Sequence, residues 1–398
     1  MNRPPLPGHY WRQWLASAIS NLGDGMNVAA MPLLTYSLTA DPRLVSLSAF
    51  AAFLPWLILA LPVGVYVDRF DRKRLMIGAN VMRAALFAFI AVLVVTDSMS
   101  IGILLALLLF VGCCEVVFDS SAQAFLPAIV PAESLPRANG LLYATEVVAN
   151  GFIGLPFGAW LWVAAAGIPF GANAAALTLA AIMVTSIKVV PTHREAARTN
   201  TSFFAELREG LEWLRDNRRL RTLALLLGVT NMCGTFGNSI FVKYASEEIG
   251  VSETGFGILL AAMSIGSIVG GLLGDRIASR LGERQALIGS YAVFGGAMIA
   301  MSIAPSAWVV AVIASIEGLA GTVWNVITVS MRQRVIPEDL FGRVNSAYRW
   351  IGTGSIGLGA LIGGQIAHGF GVRAPFLAGG ILTLLALLGG IRILAARA

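Results

Sequence analysis

The chain has 398 residues, 57% of them apolar and only 13% charged, where a soluble domain carries roughly a quarter charged residues. That balance excludes an ordinary water-soluble enzyme and asks for lipid as the main solvent. The formal charge of +6 does not mark a nucleic-acid partner, because the basic residues fall between apolar segments and not along one polar face.

A bilayer is crossed by about 20 mostly apolar residues. Broken at polar or Gly/Pro punctuation, the apolar runs predict spans at 13–39, 44–67, 75–95, 101–126, 138–165 and 168–190. After a polar stretch come 221–245, 254–275, 286–303, 307–331, 343–367 and 372–394. The expectation is an all-α integral membrane protein: a six-helix bundle over 1–190, a cytoplasmic linker over 191–220 and a second six-helix bundle over 221–398. Within the linker, Phe203, Phe204, Leu207, Leu211 and Leu214 fall on one helical face, which suits a helix on the membrane surface or one packed on the protein. Met1 to Tyr10 has no removable signal pattern, so the first span is expected to insert the chain.

The N-terminus, the even-numbered connections, the linker and the C-terminus hold about 23 Lys and Arg, against about three (Arg43, Lys243, Arg373) in the odd-numbered connections, which puts both termini in the cytoplasm by the positive-inside rule. Two loops repeat across the halves. Pro131, Arg137 and Asn139 match Pro337, Arg343 and Asn345 at an offset of 206, and Gly64 with Asp68-Arg69 matches Gly271 with Asp275-Arg276 at 207. Agreement of offset, span number and loop charge indicates a duplicated six-helix unit, and such halves usually place a substrate site near the bilayer midplane.

The second connection, Gly64-Val65-Tyr66-Val67-Asp68-Arg69-Phe70-Asp71-Arg72-Lys73-Arg74, resembles the G-x-x-x-D-R-x-x-R-R/K signature of the major facilitator superfamily, at the loop where that family carries it. The Pro-x-Glu and Arg-Ala-Asn elements of the fourth connection, the approach to the seventh span and Trp324-Asn325-Val326 resemble the branch of siderophore exporters and macrolide-type drug efflux proteins. The resemblance implies a transporter whose Gly64, Asp68, Arg69, Arg72 and Arg74 form a cytoplasmic gating motif, with Asp68 at the start of the eleventh helix near Gly342 to Asn345. Asp119 is the expected carboxylate partner of those arginines. Two departures stand against the antiporter patterns. The fifth span reads Gly154-Leu155-Pro156-Phe157-Gly158 with its proline shifted by one, and the fourth presents Cys114-Glu115-Val116 in place of an arginine and R-x-x-Q-G.

Ionisable groups inside a span are costly and tend to mark pathways. Asp24 sits midway along the first span; Glu115 lies four residues before Asp119, on the same helical face; Glu146 and Glu317 belong to the fifth and tenth spans. These four carboxyls are candidates for proton or substrate binding, with Asn231, Asn238, Trp324 and Asn325 as further cavity-lining candidates. For Asn231 and Asn238, helix stitching is the more ordinary use. Cys113, Cys114 and Cys233 have neither disulfide nor metal-ligand spacing, no phosphate-binding loop G-x-x-x-x-G-K-[ST] occurs, and no nucleophile has a legible partner. The reading is therefore a cofactor-free, non-enzymatic small-molecule transporter of the cell (inner) membrane, expected as a monomer: proton-coupled export of small amphipathic compounds. Siderophore or lysolipid transport, and a non-transporting receptor or scaffold, stay open at this point.

Overall fold

A computed structural model gives the fold and describes residues 6–131, 134–187, 203–337 and 340–395. Helices α1 (Gly8–Leu38), α2 (Pro42–Arg69), α3 (Arg72–Val95) and α4 (Ile101–Ile129) follow the first four predicted spans. The fifth combines α5 (Leu135–Glu146), a π-helical stretch over Val147–Gly154 and α6 (Leu155–Ala164); α7 (Ile168–Thr185) is the sixth. The linker helix is α8 (Phe203–Asp216). The second half holds α9 (Arg218–Asn238), the single turn α10 (Phe241–Lys243) with a π-helical turn over Tyr244–Glu248, and then α11 (Glu253–Leu281), α12 (Glu283–Ser302), α13 (Ala307–Val335), α14 (Phe341–Phe370) and α15 (Ala374–Ala395). No strand occurs among the described residues.

Helix ends fall where the sequence supplies caps. Asp71 accepts from the Arg74 backbone N–H at 3.0 Å to start α3, Asn217 accepts from Leu220 at 3.0 Å to start α9, and side-chain oxygens at such positions satisfy donors the helix cannot. Gly282 and Gly371, at φ +81° and +87°, close α11 and α14, a backbone state that favours glycine. Among the described residues, eight helical spans are long and apolar enough to cross a membrane alone, and α9 with Phe241–Glu248 makes a ninth. The remaining predicted spans are α1, α14 and α15. Helix α1 carries Gln13, Asn21, Asp24 and Asn27. Large apolar side chains such as Phe89, Phe110, Trp160, Ile182, Leu272 and Trp308 stand exposed on the helix surfaces, as a lipid-facing exterior requires.

Contacts divide the chain into two units. The first is Met1–Leu38 with Leu54–Asn200, the second Thr39–Phe53 with Thr201–Ala398. In the first, α1 packs on α7 and on the α5–α6 span, and α3 packs on α4 and α7. The fully buried Tyr10 donates its hydroxyl to the Ala138 carbonyl at 3.0 Å. In the second, α9 packs on α14 and α15, α12 on α13 and α15, and α11 on α13, around Leu223, Tyr291, Trp324 and Tyr348. Helix α8 rests on α9 and α14, with Leu214 buried and Arg208–Glu212 paired at 2.8 Å on the outer side. Of the two placements open from the sequence, packing on the protein is thus observed.

The first turns of α2 join the second unit because Gly364 of α14 admits Ser46 and Pro42 so closely that a Cβ there would overlap the Ser46 side chain. Just before them, Asp41 grips Arg43 (2.7 Å) and lies 3.9 Å from His368 Nδ1. The Arg43 guanidinium and its hydrogen bonds hold the Asp41 carboxyl down to about 2.

Candidate functional site

The first unit gathers its interior charges at one place. Arg83 of α3, 3% exposed, donates Nη2–H to Asp24 Oδ1 of α1 at 2.7 Å. Glu115 and Asp119 of α4 also act electrostatically on Arg83, and Glu146 at the end of α5 acts on Asp119 and is itself acted on by Asp24. The Phe118 ring lies 5.9 Å from the guanidinium carbon. Three carboxyl groups therefore act on one cation, and the exposed Glu146 is coupled to them through Asp24 and Asp119. Arg83 Nε has no acceptor among the described residues.

Local sequence explains the gathering. The four-residue spacing of Glu115 and Asp119 puts both on one face of α4. Helix α1 reaches the fifth span through small residues: a Cβ on Gly25 would overlap the Asn150 carbonyl, and one on Gly154 would sit 2.7 Å from Gly25 Cα. This crossing lies within the π-helical stretch that begins beside Glu146, and π turns recur at functional sites. It brings the residue next to Gly25, which is Asp24, up to the end of α5.

Asp119 thus acts on Arg83, and of the three arginines expected as its partners neither Arg72 nor Arg74 pairs with it among the described residues, while the Arg69 side chain lies outside them. Arg72 donates Nη1–H to the Ala124 carbonyl at 2.9 Å, while Arg74 is exposed and 4.0 Å from Asp71. The side chains of Gly64, Asp68 and Arg69, and of Gly342, Arg343 and Asn345, lie outside the described residues.

Among the described residues the second unit carries no such cluster; it has space. One cavity of about 260 Å³ is bordered by Thr230, Asn231 and Asn238 of α9, Ser267 of α11, Phe294 of α12 and Glu317 of α13. A neighbouring cavity of about 310 Å³ shares Thr230, Asn231, Phe294 and Gly321 with it and adds Tyr291, Trp324 and Asn325. The expected residues of the second half therefore all border a chamber, and Asn231 borders both. Asn231 donates Nδ2–H to the Gly352 carbonyl at 2.9 Å, Tyr291 donates to the Leu226 carbonyl at 3.1 Å, and the Tyr291 and Trp324 rings stand 4.9 Å apart. Glu317 is 6% exposed, and no cation or hydrogen-bond donor reaches it among the described residues.

Arg83 and the aromatic border of Phe294 and Tyr291 were not among the expected site residues. Arg83 had a signal, since it is the only basic residue inside the predicted span 75–95. The two rings had none, because an aromatic in a membrane helix packs or faces lipid as readily as it lines a cavity. Among the described residues no group of His, Cys, Asp and Glu has the geometry to hold a metal ion.

Residues 4–396 match the family of transmembrane secretion effectors. The chain is 22% identical over 383 residues to macrolide efflux protein A of Streptococcus pyogenes, covering 94% of this chain and 93% of that one. It is 27% identical over 380 residues to the multidrug efflux pump Tap of Mycolicibacterium fortuitum, covering 91% and 90%. Among solved structures it resembles a mutant of the nucleoside transporter NupG, with a TM-score of 0.81 at 10% identity over 98% of this chain and 100% of that one. A bacterial homologue of the iron transporter ferroportin gives 0.77 at 14% identity over 99% and 100%.

Proposed function

The chain belongs to the transmembrane secretion effectors of the major facilitator superfamily, and on that premise we propose that it exports small amphipathic molecules by alternating access, driven by the proton gradient. The observation that carries the coupling is the single arginine among three carboxyl groups in the first unit, with Glu146 coupled to two of them from the exposed end of α5. With Asp24, Glu115 and Asp119 all ionised, Arg83 balances one negative charge and leaves two. A low-dielectric interior does not tolerate that excess, and protons are the counter-charge within reach. Because the groups interact, their protons belong to the cluster and not to single residues. Changing its proton count changes the net charge that holds α1, α3, α4 and α5 together, which is a physical route from a gradient to a conformational equilibrium.

Efflux as the direction is supported by the relatives' names, a macrolide efflux protein and a multidrug efflux pump. In the same reading the chain works as a monomer in the cytoplasmic membrane with both termini inside. The purified chain, reconstituted in liposomes, should move a macrolide such as erythromycin only with an imposed pH gradient, and Asp24→Asn should uncouple it. Equal flux without a gradient would reject proton coupling. A panel that also includes a siderophore and a lysolipid reads the substrate side in the same assay.

A further inference from the structure

We propose that the two adjoining chambers of the second unit seat an amphipathic monocation, its charge against Glu317 and its ring against Phe294 and Trp324. This inference rests on the transport reading above and names the class of compound that the second unit recognises.

The first argument is charge. Glu317 is almost fully buried and borders the chamber of about 260 Å³, yet it has no cation and no donor among the described residues. Buried charges are normally paired. In the first unit Arg83 supplies that partner from within the protein; beside Glu317 the ligand would supply it. No basic residue is among those that border either chamber, so an anionic compound would find no opposite charge there. One carboxyl among neutral groups selects a single positive charge.

The second argument is the duplication. At the two repeat offsets, 206 and 207, Asp24 corresponds to Thr230 or Asn231, Arg83 to Gly289 or Ser290, Glu115 to Gly321 or Thr322, Asp119 to Asn325 or Val326, and Glu146 to Gly352 or Thr353. At either offset every charged position of the first unit's cluster is neutral in the second. Thr230, Gly321 and Asn325 border the chambers, and a Cβ on Gly321 would come no nearer than 3.9 Å to another residue. The second unit has space where the first has an ionic cluster. Glu317 is not a remnant of that cluster either, for its counterpart at 206 is Val111, which is buried and apolar.

The third argument is the wall. Phe294 borders both chambers, and the Tyr291–Trp324 pair borders the second. Trp324 is 4% exposed and its Nε1–H has no acceptor among the described residues. Aromatic faces attract cations and stack on rings, and the free indole donor suits an oxygen on the ligand. The chambers, at about 260 and 310 Å³, hold a compound of one or two rings with a charged end.

The test uses the full chain in detergent with no gradient, and a matched pair of probes: N-methyl-4-phenylpyridinium, permanently charged, and its neutral isostere 4-methylbiphenyl. Equilibrium dialysis of the tritiated cation, with the biphenyl as competitor, should give at least tenfold tighter binding of the cation, or ~1.4 kcal/mol. Glu317→Gln should erase that preference and leave the biphenyl within twofold, while Glu317→Asp keeps most of it and shows that the site still folds. Unchanged cation binding by Glu317→Gln, or equal affinity for the two probes in wild type, overturns the proposal. Binding that behaves as stated while flux ignores the pH gradient would instead fail the coupling reading alone.

Discussion

Arg83 holds the first unit's charges together, and its removal should be felt beyond function. Taking one partner from a buried pair leaves an uncompensated charge and costs about 3–5 kcal/mol; here it would leave Asp24, Glu115 and Asp119 without the cation they act on. Arg83→Met should therefore lower the unfolding midpoint of the purified protein sharply, and Arg83→Lys should lower it less, keeping the charge but losing the guanidinium fork. A midpoint for Arg83→Met equal to wild type would mean that another cation balances the cluster. The sequence displayed the carboxyl members of this site, because an ionisable residue inside an apolar span stands out, but Arg83 was not picked out with them. Which members meet was not displayed. Asp119 looked like a helix-end residue when the fourth span was drawn to 126, but α4 continues through Pro127 to Ile129, which draws Asp119 inward to Arg83 and leaves the Ala124 carbonyl to meet Arg72.

Helix crossings set the depth at which those residues meet, and glycine decides which crossings are close. Gly25 is the clearest case: a Cβ there would overlap the Asn150 carbonyl and lie 2.8 Å from Asn150 Cα, and backbone cannot swing aside as a side chain can. Gly25→Ala should force α1 off the fifth span, costing about 1–3 kcal/mol as overpacking does, and should reduce flux by separating Asp24 from Glu146. Gly140 of α5 is the control, since a Cβ there meets nothing within 4 Å. Gly140→Ala should be neutral or gain up to ~1 kcal/mol from helix propensity. Thermal unfolding of the two variants side by side decides it, and equal behaviour would deny the crossing its role. Glycine density in the eighth and eleventh spans was plain in the sequence, yet the sequence could not sort contact glycines from open ones. Gly266 and Gly363 abut the backbone at Ser315 and Phe236, whereas Gly271 meets only a Thr322 methyl at 3.8 Å.

At the scale of the whole chain, hydropathy and charge made the architecture legible, because lipid requires every span to satisfy its own backbone and the loops carry their orientation in Lys and Arg. The early turns of α2 were not legible in this way: their grouping with the second unit depends on Gly364 accepting Ser46, a contact no periodicity announces. The same physics makes orientation testable. Six spans per half, the number the sequence predicts, is even, so both halves would enter the membrane from one side, and the connection after α3 would share a side with the one after α12. Ser98 and Ile303 lie in these two connections and are exposed, as is Ser279 at the end of α11. With Cys113, Cys114 and Cys233 first replaced, Ser98→Cys and Ile303→Cys should both react with a membrane-impermeant maleimide in intact cells. Ser279→Cys should react only after permeabilisation. Labelling of Ser98→Cys without Ile303→Cys would give the halves opposite orientations and rule out a tandem six-helix duplication, whereas the reverse pattern at all three sites would turn the whole molecule over and remove the cytoplasmic placement of its termini.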